Sequence, residues 1–207
     1  MFKGAVIDRP LVSQAFLCQD NVVDIARSLI GKTLITFSGN SIRAGLIAET
    51  EAYAGSSDKA SHAYLGKRTE RTSTLFMPAG HCYVYLCYGI HSLFNIVTNS
   101  AEIPHAVLIR GVIPLEKKFV KKEFQPFYTQ LSGAFNGPGK LSNALNIGLN
   151  HNRILLNSTE IWLYEGVEEK LPQIIAAQRV GVAYAGEDAK LLYRFYRSDY
   201  RPVKPPM

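Results

Sequence analysis

Two carboxylates close an apolar run in the stretch Leu46-Ile47-Ala48-Glu49-Thr50-Glu51-Ala52-Tyr53. If the run is a strand, successive side chains point to opposite faces, so Glu49, Glu51 and Tyr53 share one of them. A carboxylate at a buried strand end is either a salt-bridged structural group or a general base held beside a substrate, and residue type alone weights the structural reading. Tyr83, Tyr85, Tyr88 and Asn95 add polar-tipped aromatics and an amide further on. Together they make either a stacking pocket for a flat ligand or an ordinary sheet face. His62 reads on its own as a loop histidine bonded to backbone. Arg110, after Val107-Leu108-Ile109, is a strand-end guanidinium with its stem on apolar surface, or a partner for water or phosphate. Lys140 follows Gly137-Pro138-Gly139; it is a surface lysine, or a phosphate contact where a glycine-rich turn opens a helix.

Other chemistries lack their residues. A phosphate loop ending at Gly139-Lys140 would need glycine where Ala134 stands and a hydroxyl where Leu141 stands, and no G-x-G-x-x-G fingerprint occurs. The five histidines show no H-E-x-x-H spacing and the three cysteines no C-x-x-C, so neither a metal nor another cofactor is expected. With 23 Lys plus Arg against 17 Asp plus Glu, the net charge is +6, which leans toward an anionic partner such as nucleic acid or a membrane surface. No apolar run approaches the roughly 20 residues of a membrane span, and residues 1–10 lack a signal-peptide core. An intracellular protein without membrane association is expected. Lys117, Lys118, Lys121, Lys122, Arg194, Arg197, Arg201 and Lys204 are solvated charges or a phosphate-tracking surface.

The elements that must position these residues follow from periodicity and turn chemistry. Apolar residues at helical spacing from Val22 to Ile30, with Asp20 or Asn21 as N-cap and Gly31 as stop, predict an amphipathic helix. Residues 32–37 and 42–49 predict two strands around Ser38-Gly39-Asn40-Ser41. Residues 54–78 turn polar and small, which predicts a long irregular surface segment. Residues 82–86 and 92–98 predict a second hairpin with Tyr88 at its tip. Further strands are expected at 106–111, 160–164, 179–184 and 191–195, and a short helix after Gly137-Pro138-Gly139. At 207 residues, 47% hydrophobic and 19% charged, the chain fits one globular domain over residues 1–207. Strands mostly follow strands, so the fold class is α+β, dominated by antiparallel hairpins.

Several segments carry a resemblance in order and spacing. Glu49-Thr50-Glu51-Ala52-Tyr53, Ala60-Ser61-His62, Phe76-Met77-Pro78-Ala79-Gly80, Tyr83-Val84-Tyr85, Tyr88-Gly89, Phe94-Asn95-Ile96 and Val107-Leu108-Ile109-Arg110 resemble the 3-methyladenine (alkyladenine) DNA glycosylase family. The likeness continues through Gly137-Pro138-Gly139-Lys140-Leu141, Arg179-Val180-Gly181-Val182 and Arg194-Phe195-Tyr196, while residues 66–74 follow it less closely. It implies an α+β domain with a curved antiparallel or mixed sheet, packed helices and a protruding hairpin. It also implies hydrolysis of the N-glycosidic bond of alkylated or damaged purines in double-stranded DNA by a monofunctional enzyme; a monomer is the default expectation. By position, Glu51 matches the general base and Arg110 its partner near the water. Tyr53, His62 and Tyr85 match the base-stacking walls, Asn95 the group that screens guanine's exocyclic amine, and Tyr88 the intercalating tyrosine.

That chemistry suits the residue types. A glycosylase must flip the nucleotide out and hold its base between π-faces, which attract an alkylated, cationic purine. One carboxylate can then deprotonate a water and face the oxocarbenium-like transition state. The alternatives are a damaged-nucleic-acid-binding module without chemistry and a lyase with a covalent amine intermediate. The second needs an activated lysine, and residues 46–53 contain none.

Overall fold

The computed structural model describes residues 5–133 and 135–202; Ala134 and Lys204, both named above, lie outside them. The first predicted helix forms as α2 (Val22–Ser28), after a single-turn helix α1 (Gln14–Leu17). Asn21 caps α2 with its side-chain oxygen, which accepts from the amides of Val23 at 3.0 Å and Asp24 at 3.4 Å and satisfies two donors that a helix start leaves orphaned. Gly31, at φ +84°, ends this region and sends its N–H to the Ile47 carbonyl. Val22, Ile25, Ala26, Leu29 and Ile30 are all buried, and each large one removed from water contributes about 1.5–3 kcal/mol. The Thr50 hydroxyl donates to the Ala26 carbonyl at 2.8 Å. The helix is thereby pinned to one face of the strand whose other face carries the carboxylates.

Among the described residues nine strands form one curled sheet in which every strand pair is antiparallel: β1 (Thr33–Ser38), β2 (Ser41–Tyr53), β3 (Cys82–Cys87), β4 (His91–Thr98), β5 (His105–Pro114), β6 (Phe135–Asn136), β7 (Ile161–Tyr164), β8 (Ile174–Ala177) and β9 (Arg194–Arg197). The main path runs β3-β4-β5-β2-β1-β7. Strand β2 is its spine. Its first half pairs with β1, and its end, from Glu49 to Glu51, pairs with β9, while β5 follows it on the other side. At the changeover Ile47 opposes Val112, Glu49 opposes Gly111 and Thr50 opposes Ile109, so Ala48 on β2 and Arg110 on β5 are each an extra residue. Paired bulges of this kind twist strands locally and re-aim their side chains. They sit at the carboxylates. Across from Glu49, a Cβ on Gly111 would lie 1.9 Å from the Tyr200 hydroxyl, so only glycine lets that tyrosine close over the pair.

The hairpin expected around Tyr88 forms between β3 and β4, with Cys87 opposite His91. The short helix after Gly137 forms as α3 (Pro138–Ala144). Three expectations need correction. Residues 179–184 are not a strand: Gly181 is at φ +75° and the Val180 N–H is spent on a carboxylate instead of a ladder. The strand nearby is β8, earlier in the chain, and β9 starts three residues later than residue 191. Residues 54–78 are irregular, with 3-10 turns at Gly55–Ser57, Tyr64–Gly66 and Ser73–Phe76, yet they are no mere surface loop. Asp58, Ala60, Ser61, Ala63, Leu75 and Phe76 are buried, because the segment folds back as one wall of a cavity.

Candidate active site

The bulges at Ala48 and Arg110 bring four charges together out of water. Arg110 Nε lies 3.0 Å from Glu49 Oε1 and 3.4 Å from Glu51 Oε1, and Arg194 Nη1 lies 3.3 Å from Glu49 Oε1. Both glutamates are fully buried. Burial pushes the Glu49 carboxyl above its usual range, against the pull of Arg110 and Arg194. For Arg110, burial acts downward, and the two carboxylates more than offset it. The two glutamates differ in what else holds them. Glu51 Oε1 accepts the Val180 N–H at 2.8 Å and Oε2 accepts the Tyr53 hydroxyl at 2.8 Å. Arg110, Tyr53 and Val180 all border the same cavity, so Glu51 adjoins open space through its partners. Glu49 is clamped between arginines beneath Tyr200.

That cavity encloses about 410 Å³, and its walls include Tyr53, His62, Tyr85, Tyr88, Asn95 and Arg110, with further aromatic, apolar and polar groups between them. It is concave, mostly aromatic and apolar, with a few convergent polar groups, the form of a site for a flat organic ligand. Of the candidate residues, Glu51 lies behind the wall, held to it through Tyr53, Arg110 and Val180, and Lys140 is exposed on α3 away from it; the structure gathers the others as walls. Asn95 is 4% exposed, and its amide nitrogen donates to the carbonyls of Tyr83 at 3.1 Å and Leu93 at 3.4 Å. With both N–H groups tied to acceptors, the side chain is fixed and its oxygen is the group left for a ligand. Tyr88 stands at the rim, 93% exposed and at φ +51°. A non-glycine residue there carries about 1–2 kcal/mol of backbone strain, which places an aromatic ring at the hairpin tip where packing would not hold one.

His62 is no longer the loop histidine that residue type suggested. Its Nδ1 is 3.0 Å from the Tyr83 hydroxyl and its ring meets Tyr85 edge-on at 4.7 Å. Burial, then Arg71 and Lys67, lower its pKa from 6.5 to about 4, so the ring is neutral at pH 7. The unfolded chain therefore takes up this proton below about 6.5 and the folded chain only near 4. Stability contributed by the neutral ring, at most about 3 kcal/mol, is lost as pH falls through that window. Urea midpoints measured from pH 7 to pH 4 should fall less steeply for His62→Phe than for the parent. Equal slopes would contradict the half-buried neutral ring.

Three contributors escaped the sequence reading. The Val180 amide is a backbone group, invisible to a search by side chain. Arg179 donates to the Ala52 carbonyl at 2.9 Å and to both oxygens of Asp58, with its guanidinium 4.9 Å from the centre of the Tyr53 ring. Arg71 lines the cavity with its guanidinium 4.8 Å from the centre of Tyr85. Among the described residues no group of three or more His, Cys, Asp or Glu could hold a metal, and no helix is long and apolar enough to cross a membrane.

Residues 15–201 match the family model described as Methylpurine-DNA glycosylase (MPG). The chain belongs to this family. It is 42% identical over 189 residues to a Clostridium acetobutylicum protein named "Putative 3-methyladenine DNA glycosylase", covering 87% of this chain and 91% of that one. Proteins of the same name from Chlamydia pneumoniae and Desulfitobacterium hafniense are each 38% identical, covering 91% and 93% of this chain and 95% and 97% of theirs. A methylpurine-DNA glycosylase works in DNA repair by base excision and meets damaged DNA as its substrate. The matched span contains every wall of the cavity and both glutamates.

Proposed function

We propose that the protein hydrolyses the N-glycosidic bond of alkylated or otherwise damaged purines, of the 3-methyladenine, 7-methylguanine and hypoxanthine class, in double-stranded DNA. The observation that carries this reading is the carboxylate of Glu51, buried yet joined through Tyr53, Arg110 and Val180 to an aromatic cavity of about 410 Å³, ample for a purine base. A nucleotide flipped from the duplex puts its base between aromatic walls, here Tyr53 and Tyr85 with His62 against them. Tyr88 fills the vacated stack, as wedging side chains do in the minor groove. Asn95 screens the exocyclic amine of guanine, and Lys140 meets a backbone phosphate.

In the reaction, water oxygen bonds to C1′ as the C1′–N bond breaks, and Glu51 receives the water proton. The same carboxylate opposes the positive charge that grows on the sugar. Arg110 aims the carboxylate and shares its charge with Glu49. No cofactor takes part. A binding module without chemistry is disfavoured by the energetic cost of burying Glu51 beside a cavity meant for polyanionic DNA. A lyase is disfavoured because no lysine stands among the cavity's described walls. The enzyme acts as a monomer inside the cell, wherever its DNA is.

Duplex oligonucleotides carrying each lesion test this reading. The free base should appear by chromatography, the strand should break only after alkali, and excess chelator should leave the yield unchanged. Release of no base, spontaneous strand cleavage trapped by borohydride, or a chelator-dependent loss restored by metal would contradict it.

A further inference from the structure

The two tyrosines proposed to stack the flipped base do not present bare π-faces. Arg179 lies 4.9 Å from the centre of the Tyr53 ring and Arg71 lies 4.8 Å from the centre of Tyr85. A ring that already faces a guanidinium has less attraction left for a second cation, and the two like charges repel through it. The attraction for alkylated purines that bare tyrosine faces would give is therefore opposed here.

The charges around the cavity do not cancel evenly. Arg110 and Arg194 are matched by Glu49 and Glu51, and Arg179 by Asp58. Arg71, among the described residues, makes no ion pair. It is exposed, yet it reaches into the site: it borders the cavity, its guanidinium lies against Tyr85, and its field helps to hold His62 neutral. An unpaired positive charge thus stands at the stacking wall.

The geometry points to Arg71 as a specificity-determining residue that biases excision toward neutral damaged purines, hypoxanthine among them, and against purines made cationic by alkylation at N3 or N7. The inference rests on the function proposed above. During bond cleavage the base gains negative charge whichever lesion it carries, so a nearby cation assists the chemical step for both. The two lesions differ by one full charge throughout, from free substrate to transition state, and the penalty on the cationic one persists. A charge one aromatic ring away from the base, partly screened because Arg71 is exposed, corresponds to a discrimination of roughly three- to tenfold.

The test compares the second-order single-turnover constants, taken at sub-saturating enzyme, for duplexes carrying hypoxanthine and 7-methylguanine. Measurement below neutral pH keeps the methylated base charged. The parent, Arg71→Gln and Arg71→Lys are measured side by side, so the intrinsic lability of each lesion cancels in the ratio. For Arg71→Gln the ratio of 7-methylguanine to hypoxanthine excision should rise about three- to tenfold, and for Arg71→Lys, which keeps the charge, it should stay near the parent's. An unchanged ratio in Arg71→Gln, or an equal shift in both variants, overturns the inference and leaves the glycosylase reading standing. A parent that releases neither base overturns that reading, and this inference with it.

Discussion

Arg110→Met should unfold 6–20 °C below the parent at neutral pH. Among the described residues the Arg110 guanidinium is the one charged group that reaches both buried glutamates, 3.0 Å from Glu49 and 3.4 Å from Glu51. Methionine preserves the stem and removes the charge. Deleting one partner of a buried ion pair costs about 3–5 kcal/mol because the remaining charge is left without compensation. In a domain of this size each kcal/mol moves the midpoint by roughly 2–4 °C. Arg194 still reaches Glu49 at 3.3 Å, which favours the lower half of the range. The pH dependence carries a distinct sign. The Glu49 carboxyl is already raised above 4.5 by burial, and loss of Arg110 raises it further. The folded variant then binds a proton more tightly than the unfolded chain, so its stability climbs as pH falls from neutral toward 4.5. Thermal melts over that interval should show the deficit shrinking. A variant that melts within about 2 °C of the parent, or whose deficit is constant with pH, would show that Arg110 is not what holds the carboxylates.

The same cluster shows how far the sequence could be read. Alternation along one strand was enough to put Glu49, Glu51 and Tyr53 on a common face, and the Tyr53 hydroxyl does bond Glu51 at 2.8 Å. The helix start was legible, with Asn21 one of the two caps that the sequence offered, because an N-cap answers a local backbone need; the helix ends at Ser28, before Gly31, whose N–H goes to Ile47. What could not be read were long-range choices. The bulges at Ala48 and Arg110 leave no composition signal, yet they decide which glutamate meets which arginine. Residues 179–184 carry strand-like Val and Tyr but deliver an amide to Glu51, a tertiary demand that overrides local propensity. The polar composition of residues 54–78 suggested solvent, whereas Asp58 is buried because it meets Arg179, 121 residues later. Glu49 and Glu51 were equivalent by type and differ only in partners. Arg71, exposed and in the stretch least like the family, gave no signal until its guanidinium was found against Tyr85.

Glu51→Gln should abolish excision while leaving recognition intact. Glutamine keeps the size of the side chain, its oxygen can still accept the Val180 N–H, and its amide can donate to the Tyr53 hydroxyl in place of the bond Tyr53 now gives. Arg110 keeps Glu49 at 3.0 Å and still faces the side-chain oxygen at position 51; Glu49 alone then balances Arg110 and Arg194, so the fold should persist at a reduced stability. Glutamine cannot take the proton from water. Loss of a general base typically costs roughly 10²- to 10⁴-fold, and the charge facing the oxocarbenium-like centre disappears with it, so the loss should reach or exceed the upper end. Binding to lesion duplex should hold or tighten, since a carboxylate no longer opposes the phosphates. The decisive measurement is single-turnover base release by Glu51→Gln set beside its equilibrium binding to the same lesion duplex: a loss of at least about 10⁴-fold in rate with parental affinity is the predicted result, and release at near-parental rate would contradict the assignment of Glu51 as the base.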